Sequence, residues 1–171
     1  MIKWIVGLNG AGKTVLLDEM IDNALQDKEQ LITNAREVHY ENFDMSKIDE
    51  LRRSDYYNEI FDYGNLEIVN NKLAIINTDF RYTNAFLDIV TLLCRNGDIL
   101  ILDEPELGLF GLEIDLLVKI FEVLLPLYKG GYIVTHCQEL FGLYPDDFYW
   151  CDNYNLLKIT EEELYEHIGK F

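Results

Sequence analysis

The chain has 171 residues, of which 49% are hydrophobic, and its 31 acidic and 14 basic residues give a formal net charge of −17. This length suits one domain with a sizeable core, and no stretch reaches the roughly 18 uninterrupted apolar residues that a membrane helix needs. So acidic a composition argues against direct DNA binding by this chain, because basic side chains normally neutralise the phosphates.

The amino-terminal residues and the cysteines bear on where the protein is located. The apolar run Ile2 to Val6 continues directly into a glycine-rich loop without a cleavage site, so it predicts a strand rather than a signal peptide. Cys94, Cys137 and Cys151 are far apart and odd in number, which is typical of reduced, mostly buried thiols. We therefore expect a cytoplasmic protein with no membrane association.

The first elements alternate between strand and helix. After the strand Ile2 to Val6 and a glycine loop, the residues from Lys13 to about Gln26 carry a helical stripe of apolar side chains. Leu31 to Asn34 predicts a second strand. From Glu37 to Gly64 the chain is acidic, tyrosine-rich and weakly periodic. We interpret it as a small helical insertion at about 37–64, within a single domain of residues 1–171.

Two features of the insertion can be read from its sequence. Ser46, followed by Asp49, is typical of a helix start with an acidic first turn. The aromatic residues suit either a partner surface, where tyrosine is favoured, or the core of a small helical cap. They are Tyr40, Phe43, Tyr56, Tyr57, Phe61 and Tyr63. The sequence leaves both interpretations open.

The remaining elements complete an alternating pattern. They are a hairpin of strands Leu66 to Val69 and Leu73 to Asn77, a helix Thr83 to Arg95, a strand Ile99 to Leu102, a helix Leu112 to Leu127, a strand Gly131 to Val134, a hairpin of Phe148 to Cys151 and Asn155 to Ile159, and a last helix after Thr160. Thr160 and Glu163 form a capping box. The pattern predicts an α/β fold with a mostly parallel sheet, flanking helices and a C-terminal hairpin.

The glycine loop has a spacing that suits phosphate binding. Gly7 to Thr14 follow the pattern Gly-x4-Gly-Lys-Thr between a predicted strand and a predicted helix. Glycines let backbone N–H groups surround phosphate oxygens, and the helix adds the positive end of its dipole. The motif predicts a P-loop NTPase fold, with Lys13 on the β- and γ-phosphates and Thr14 on Mg²⁺. The predicted nucleotide-binding residues are Asn9, Gly10, Ala11, Gly12, Lys13 and Thr14.

Polar residues also follow two later apolar strands. Asp103 and Glu104 come after Ile99 to Leu102, and His136 comes after Tyr132 to Thr135. Ligands bind at the carboxyl edge of a parallel sheet, so these groups are expected beside the P-loop. Asp103 is predicted to hold Mg²⁺, and Glu104 to activate the attacking water as general base. His136 is predicted to contact the γ-phosphate or that water.

These motifs, in this order, resemble the head of an ABC-type ATPase. The matching segments are Asn9 to Thr14, Leu102 to Glu106 and Thr135-His136. Asp-Glu-Pro-Glu followed by Leu107-Gly108-Leu109 is most similar to the soluble branch of SMC-like and overcoming-lysogenisation-defect-like ATPases. The resemblance is weak between about Leu31 and Thr78.

The resemblance implies a set of roles and partners. ATP and Mg²⁺ would be the cofactors, with Asp103 as the Walker B aspartate, Glu104 as the catalytic glutamate and His136 as the switch histidine. Glu106 to Leu109 occupies the D-loop position, which in this family meets a partner head. Glu106 is therefore a candidate contact in trans.

Three departures from the family pattern limit this prediction. No Q-loop glutamine is recognisable, and the Ser-Gly-Gly signature that grips the γ-phosphate of the opposite head is missing. Phe80-Arg81-Tyr82-Thr83 stands at the signature position. Arg81 is either an arginine finger acting in trans or a surface charge beside Thr83, the N-cap of a helix. Heads of this family usually have strands and an adenine-stacking aromatic residue before the P-loop. Only six residues precede Gly7 in this sequence, so base recognition is unassigned.

The sequence thus predicts an ATPase that cleaves the β–γ phosphoanhydride of ATP and thereby drives assembly with a second copy or a heterologous protein. One alternative is an ATP-binding regulatory switch with little hydrolysis. Another is a small P-loop kinase, although such enzymes usually carry an arginine-rich lid and basic residues are sparse here. A third is an acidic decoy for a DNA-binding partner, which would leave the nucleotide motifs without a purpose.

Overall fold

A computed structural model describes residues 2–8, 10–27, 30–141 and 147–169. The strands are β1 (Ile2–Val6), β2 (Leu31–Thr33), β3 (Asn65–Val69), β4 (Lys72–Ile76), β5 (Ile99–Asp103), β6 (Gly130–Val134), β7 (Phe148–Asp152) and β8 (Asn155–Ile159). The helices are α1 (Lys13–Gln26), α2 (Met45–Arg53), α3 (Tyr57–Phe61), α4 (Asn84–Leu93), α5 (Gly111–Leu124), α6 (Gln138–Phe141) and α7 (Glu161–Ile168). Within the described ranges, no helix combines the length and apolar character needed to cross a membrane.

The main sheet has six strands in the order β2-β5-β6-β1-β7-β8. Neighbours from β2 to β7 pair in parallel, and β8 closes the sheet by pairing antiparallel to β7. The predicted α/β fold, with a mostly parallel sheet and a C-terminal hairpin, is confirmed. Because β1, β2, β5 and β6 run in the same direction, the segments that follow them emerge at one edge of the sheet.

The sheet buries side chains on both faces, as the continuous apolar runs predict. Ile5, Ile101 and Val134 pack against Leu17 and Ile21 of α1 on one face. The neighbouring residues of the same strands belong to a second and larger cluster on the other face, which includes side chains of α2, α3, α4 and α5. Since successive strand residues point to opposite faces, each central strand contributes to both clusters.

Several element boundaries differ from the sequence prediction for local reasons. The helix predicted to run to Leu127 ends at Leu124 and continues as a 3-10 turn, because Pro126 cannot donate a backbone hydrogen bond. Asn34 and Asn77 lie outside the strands that were predicted to include them. Helix α6 was not predicted, and its 4 residues are too few to show a periodic pattern.

The segment 37–64 contains two helices, but the predicted start of the first of them, α2, was wrong. Asp44, not Ser46, is the N-cap of α2, and its carboxylate accepts the backbone N–H of Ser46. An aspartate satisfies the free N–H groups of a first turn as well as a serine does. Most of the aromatic residues pack against the core, with Phe61 fully buried, whereas Tyr63 is 79% exposed. The domain boundaries themselves stay a prediction.

Lys47 of α2 joins this segment to the rest of the fold. Its side chain is 1% exposed, and its ammonium donates to the carbonyl oxygens of Arg95 (2.8 Å) and Gly97 (2.6 Å). The ring of Tyr128 lies 4.0 Å from the same ammonium. Burial lowers the pKa of Lys47. Two carbonyl oxygens and an aromatic face thus replace water around the buried amine of Lys47.

We expect Lys47→Met to lower the free energy of unfolding by about 2–4 kcal/mol. Two buried carbonyl oxygens lose their donor, although removing a buried charge returns part of that cost. Urea titration measures the difference. Lys72→Met is the control, because Lys72 is 53% exposed and pairs with Asp88 at the surface, where such pairs contribute less than about 1 kcal/mol. Equal losses in the two variants would contradict a structural role for Lys47.

Candidate functional site

The ends of β1, β5 and β6 enclose a cavity of about 410 Å³. It is lined by Gly10, Gly12, Lys13, Thr14, Val15, Asp103, Glu104, His136 and Tyr154. Most of the residues that the sequence singled out are therefore brought together in one place. Ala11 lies in the same loop, with its side chain buried. Asn9 falls outside the described residues.

The glycine loop has the backbone geometry that phosphate binding requires. Gly10 and Gly12 have φ angles of 80° and 93°, a region that residues with a Cβ rarely adopt. Gly12 is the N-cap of α1, so the first N–H groups of that helix face the cavity without side-chain caps. Such N–H groups bind anions.

Lys13 is held inside this loop. Its ammonium donates to the carbonyl oxygens of Gly7 (2.9 Å) and Leu8 (2.8 Å). Burial lowers the pKa of Lys13, while the charges of Cys151, Glu104 and Asp103 act in the opposite direction. A phosphate in the cavity would give the ammonium a charged partner in place of two neutral carbonyl oxygens, which strengthens its hydrogen bonds.

Thr14 and Asp103 supply oxygen atoms that suit Mg²⁺. The hydroxyl of Thr14 donates to Asp103 Oδ2 at 3.4 Å. Burial raises the pKa of Asp103, and the nearby charge of Glu104 raises it further. A divalent cation would offset both effects. Mg²⁺ commonly binds through one or two protein groups plus substrate phosphates and water. The described residues contain no group of three or more His, Cys, Asp or Glu arranged for a metal, and this mode needs none.

Asn34 is a site residue that sequence reasoning missed. It follows β2, beside β5, and its amide donates to the carbonyl oxygen of Asp103 (2.9 Å). In return, the backbone N–H of Asp103 donates to the side-chain oxygen of Asn34 (2.7 Å). These two bonds fix the backbone that carries the Asp103 carboxylate. A polar residue ending an apolar strand was the available signal, but the pairing of β2 with β5 could not be read from the sequence.

Glu104 and His136 form a pair at the back of the cavity. Glu104 Oε1 lies 3.2 Å from His136 Nε2, and both side chains are about one third exposed. Glu104 has a φ of 46°, and its N–H donates to the carbonyl oxygen of Val134 at 2.7 Å. A left-handed backbone at a residue with a Cβ is strained, and such strain concentrates at functional sites. The strained turn thus accompanies the contact of the Glu104 carboxylate with His136, which lies two residues beyond the end of β6.

Glu106 supports the loop that carries His136. Its Oε1 accepts the hydroxyl of Thr135 (2.7 Å) and the backbone N–H of His136 (3.2 Å). Its Oε2 is buried without a hydrogen-bond partner among the described residues. The sequence suggested Glu106 as a contact in trans. The structure instead directs one of its oxygens at its own chain, and a contact in trans stays a prediction.

Arg81 lies outside the cavity. It is exposed, and Thr83 is the N-cap of α4, accepting the N–H of Phe86. Thr83 also donates through its N–H and its hydroxyl to the fully buried carboxylate of Glu113. These contacts match the interpretation of Arg81 as a surface charge beside a helix cap. A finger in trans requires a second chain and is not tested by one copy.

The C-terminal hairpin packs directly against the glycine loop. The N–H of Tyr154 donates to the carbonyl oxygen of Ala11 (2.9 Å), and the thiol of Cys151 points at the same oxygen from 3.3 Å. A Cβ on Gly7 would lie 2.6 Å from the carbonyl oxygen of Cys151. The loop is therefore held between α1 and hairpin β7–β8. Cys94, Cys137 and Cys151 are all free, as predicted, with Cys137 partly exposed.

A second cavity, of about 710 Å³, opens on the other side of β5 and shares Asp103 and Glu104 with the first. Three cations line it, and each already has a partner within the chain. Arg36 pairs with Asp22, Lys72 with Asp88, and Arg95 donates to Asn71. These positive charges are therefore engaged within the chain rather than directed at the first cavity.

Comparison with solved structures identifies the fold. The ATP-binding subunit of an ABC transporter superposes with a TM-score of 0.56 at 18% sequence identity, covering 98% of this chain and 82% of that one. This is the fold of an ABC-type ATPase head. The RNase-L inhibitor also matches, with a TM-score of 0.56 and 16% identity, and the chain spans 37% of its length. No protein-family model and no curated protein sequence matches the chain.

These likenesses bear on the earlier predictions at the level of fold. The predicted α/β fold is confirmed, because the chain shares it with these two solved structures. That the chain acts as an ABC-type ATPase stays a proposal. The SMC-like branch is not supported by these two neighbours and stays a prediction based on the Asp-Glu-Pro-Glu sequence. At identities of 18% and 16%, the comparisons do not transfer residue roles. The chemistry must be argued from the cavity itself.

Proposed function

We propose that the protein binds Mg-ATP in the cavity of about 410 Å³ and hydrolyses it. In this reaction a water oxygen bonds to the γ-phosphorus as the bond to the β–γ bridging oxygen breaks, giving ADP and inorganic phosphate. The observation that carries the proposal is the meeting of a phosphate loop, a Thr14–Asp103 oxygen pair and a Glu104–His136 pair in one cavity. Each of these three groups serves a different part of the reaction.

The phosphate end of the site is assigned to the loop and α1. The N–H groups of the glycine loop and the ammonium of Lys13 bind the β- and γ-phosphates. Thr14 and Asp103 would hold Mg²⁺, which would neutralise charge on the phosphate oxygens. Asn34 keeps Asp103 in place through its two backbone hydrogen bonds.

The water end is assigned to the pair at β5 and β6. Glu104 accepts a proton from the attacking water, because its carboxylate lies at the cavity wall and Asp103 is already committed to the metal. His136, 3.2 Å from Glu104, orients that carboxylate and contacts the γ-phosphate. The hydrogen bonds that Glu106 accepts from Thr135 and His136 hold the His136 backbone in place.

Binding itself is the first test. We expect calorimetric titration to show Mg-ATP binding that weakens strongly when EDTA removes the metal, because Thr14 and Asp103 then contribute no attraction for the triphosphate. Mg-GTP in a parallel titration shows whether the base matters. A wild-type protein that binds neither nucleotide would contradict the proposal.

We further propose that nucleotide drives assembly with a second copy. Three apolar side chains that follow Glu104 in the chain are exposed: Leu107 by 66%, Phe110 by 67% and Leu112 by 56%. Apolar side chains exposed together mark interaction surfaces. Leu107 also lies in the D-loop position of the resemblance, and Phe110 and Leu112 follow it closely. A second copy could supply the missing signature function.

Light scattering tests this assembly. With Glu104→Gln and Mg-ATP, so that the triphosphate persists, we expect a mass of about twice the 20.0 kDa of the chain. Without nucleotide we expect the single-chain mass. Phe110→Ser should prevent the increase, whereas Val69→Ser, an exposed apolar residue on β3, should not. A monomer under all of these conditions would contradict the homodimer and would favour assembly with a different protein.

A regulatory switch is the second candidate function. It is favoured by the absence of glycine from Phe80 to Thr83, which the resemblance places at the signature position. Without that contribution, bound ATP would persist and signal to a partner. Bound ATP that the wild type leaves unhydrolysed, as Glu104→Gln does, would establish this alternative.

A further inference from the structure

The tip of hairpin β7–β8 places an aromatic ring in the wall of the nucleotide cavity. Tyr154 lines that cavity together with Gly12, Lys13 and Thr14. Its ring presses on the loop, because a Cβ on Gly12 would lie 2.3 Å from Tyr154 Cδ1. The side chain is nevertheless 56% exposed. One part of the ring is thus backed by Gly12, while a large part is open.

The backbone of Tyr154 is strained and anchored. Asn153 and Tyr154 are the two central residues of the turn between Asp152 and Asn155, with φ angles of 47° and 64°. Such turns favour Asn and Gly at both positions, and a bulky residue at positive φ is an outlier. The bond from Tyr154 N–H to the Ala11 carbonyl oxygen (2.9 Å) holds it there. Turn geometry alone would favour glycine, so the ring is retained at a cost.

The sheet order gives the ring its position relative to a bound triphosphate. Strands β5 and β6 lie on one side of β1, and β7 and β8 lie on the other. Glu104 and His136 come from the β5–β6 side, where the proposed function places the γ-phosphate. A triphosphate lying over the glycine loop with its γ-phosphate there directs its nucleoside toward β7 and β8. Tyr154 stands on that side.

We propose that Tyr154 is the base-stacking residue of this site. The proposal rests on the proposed nucleotide binding and adds the recognition of the base. A nucleobase presents a flat aromatic face, and a tyrosine ring fixed in place offers a surface of the same kind at little entropic cost. Because every base has such a face, stacking tolerates both adenine and guanine. The ring therefore sets affinity for nucleotides over inorganic phosphates.

The test compares three ligands by calorimetry, each with Mg²⁺: ATP, GTP and inorganic tripolyphosphate. We expect Tyr154→Gly to lower the affinity for ATP and GTP by about 5- to 150-fold, the range measured for loss of an aromatic–base stack. The affinity for tripolyphosphate should not change, because the loop and Lys13 are intact. Tyr154→Phe keeps the ring and should bind ATP within about twofold of the wild type.

Tyr63→Gly is a matched control. Tyr63 is also an exposed tyrosine, 79% accessible, with a positive φ of 58°, but it follows α3 and does not line the cavity. It should leave all three affinities unchanged. Circular dichroism and melting temperatures confirm that each variant is folded.

Each contrary outcome has a separate meaning. Unchanged ATP affinity in Tyr154→Gly overturns the stacking role alone. Equal losses in Tyr154→Phe and Tyr154→Gly would assign the effect to the hydroxyl, and a parallel loss of tripolyphosphate binding would assign it to support of the loop; either overturns the proposal. A wild-type protein that binds neither ATP nor tripolyphosphate overturns the proposed function itself.

Discussion

Glu104→Gln is expected to reduce ATP turnover by about 10²- to 10⁴-fold, the usual contribution of a positioned general base. Gln has the same shape but cannot accept the proton of the attacking water. The affinity for Mg-ATP should stay within a few fold, because Lys13, Thr14 and Asp103 are unchanged. Phosphate release measures the first effect, and calorimetry measures the second.

The matched control for this variant is Glu67→Gln. Glu67 is exposed on β3, in the separate two-stranded sheet, and removal of its charge changes the net charge by the same amount. Its turnover should equal that of the wild type. If both variants turn over ATP at the wild-type rate, Glu104 is not the base.

Lys13→Ala is expected to weaken Mg-ATP binding by at least about 100-fold. The ammonium is the cation among the residues lining the phosphate cavity, and charge-assisted hydrogen bonds to two phosphates are each worth about 1.5–3 kcal/mol. A ligand that binds only the folded state raises the melting temperature. Mg-ATP should therefore raise the melting temperature of the wild type and leave that of Lys13→Ala unchanged.

Lys158→Ala provides the comparison for the loss of one positive charge. Lys158 is exposed on β8, outside the cavity. Mg-ATP should raise the melting temperature of Lys158→Ala as much as it raises that of the wild type. Stabilisation of Lys13→Ala by Mg-ATP to the wild-type extent would place the nucleotide elsewhere in the protein.

Sequence reasoning succeeded where the signal was local. The apolar runs that become β1, β5 and β6 are followed immediately by polar residues, and parallel strands bring such ends to one edge. The sequence alone therefore predicted that Lys13, Asp103 and His136 lie close together. The capping box of α7 and the Asn70-Asn71 turn, where both φ angles are positive, are also encoded within a few residues.

Contacts that depend on strand order or register could not be predicted from the sequence. Asn34 contacts Asp103 because β2 lies beside β5, and this neighbourhood has no local signature. Tyr154 reaches Gly12 because β7 pairs with β1. The hydrogen bond that Glu106 Oε1 accepts from Thr135 was not predicted either, and the possible contact of Glu106 in trans stays a prediction. Such contacts join residues far apart in the chain, so spacing does not predict them.

The most direct test of the proposed hydrolysis is a single-turnover experiment. Protein in excess is mixed with Mg²⁺ and radiolabelled ATP, quenched at intervals and separated into nucleotide species. We expect the wild type to convert bound ATP to ADP and inorganic phosphate, while Glu104→Gln retains it as ATP. Bound ATP that stays intact in the wild type for as long as in Glu104→Gln would contradict the proposed hydrolysis.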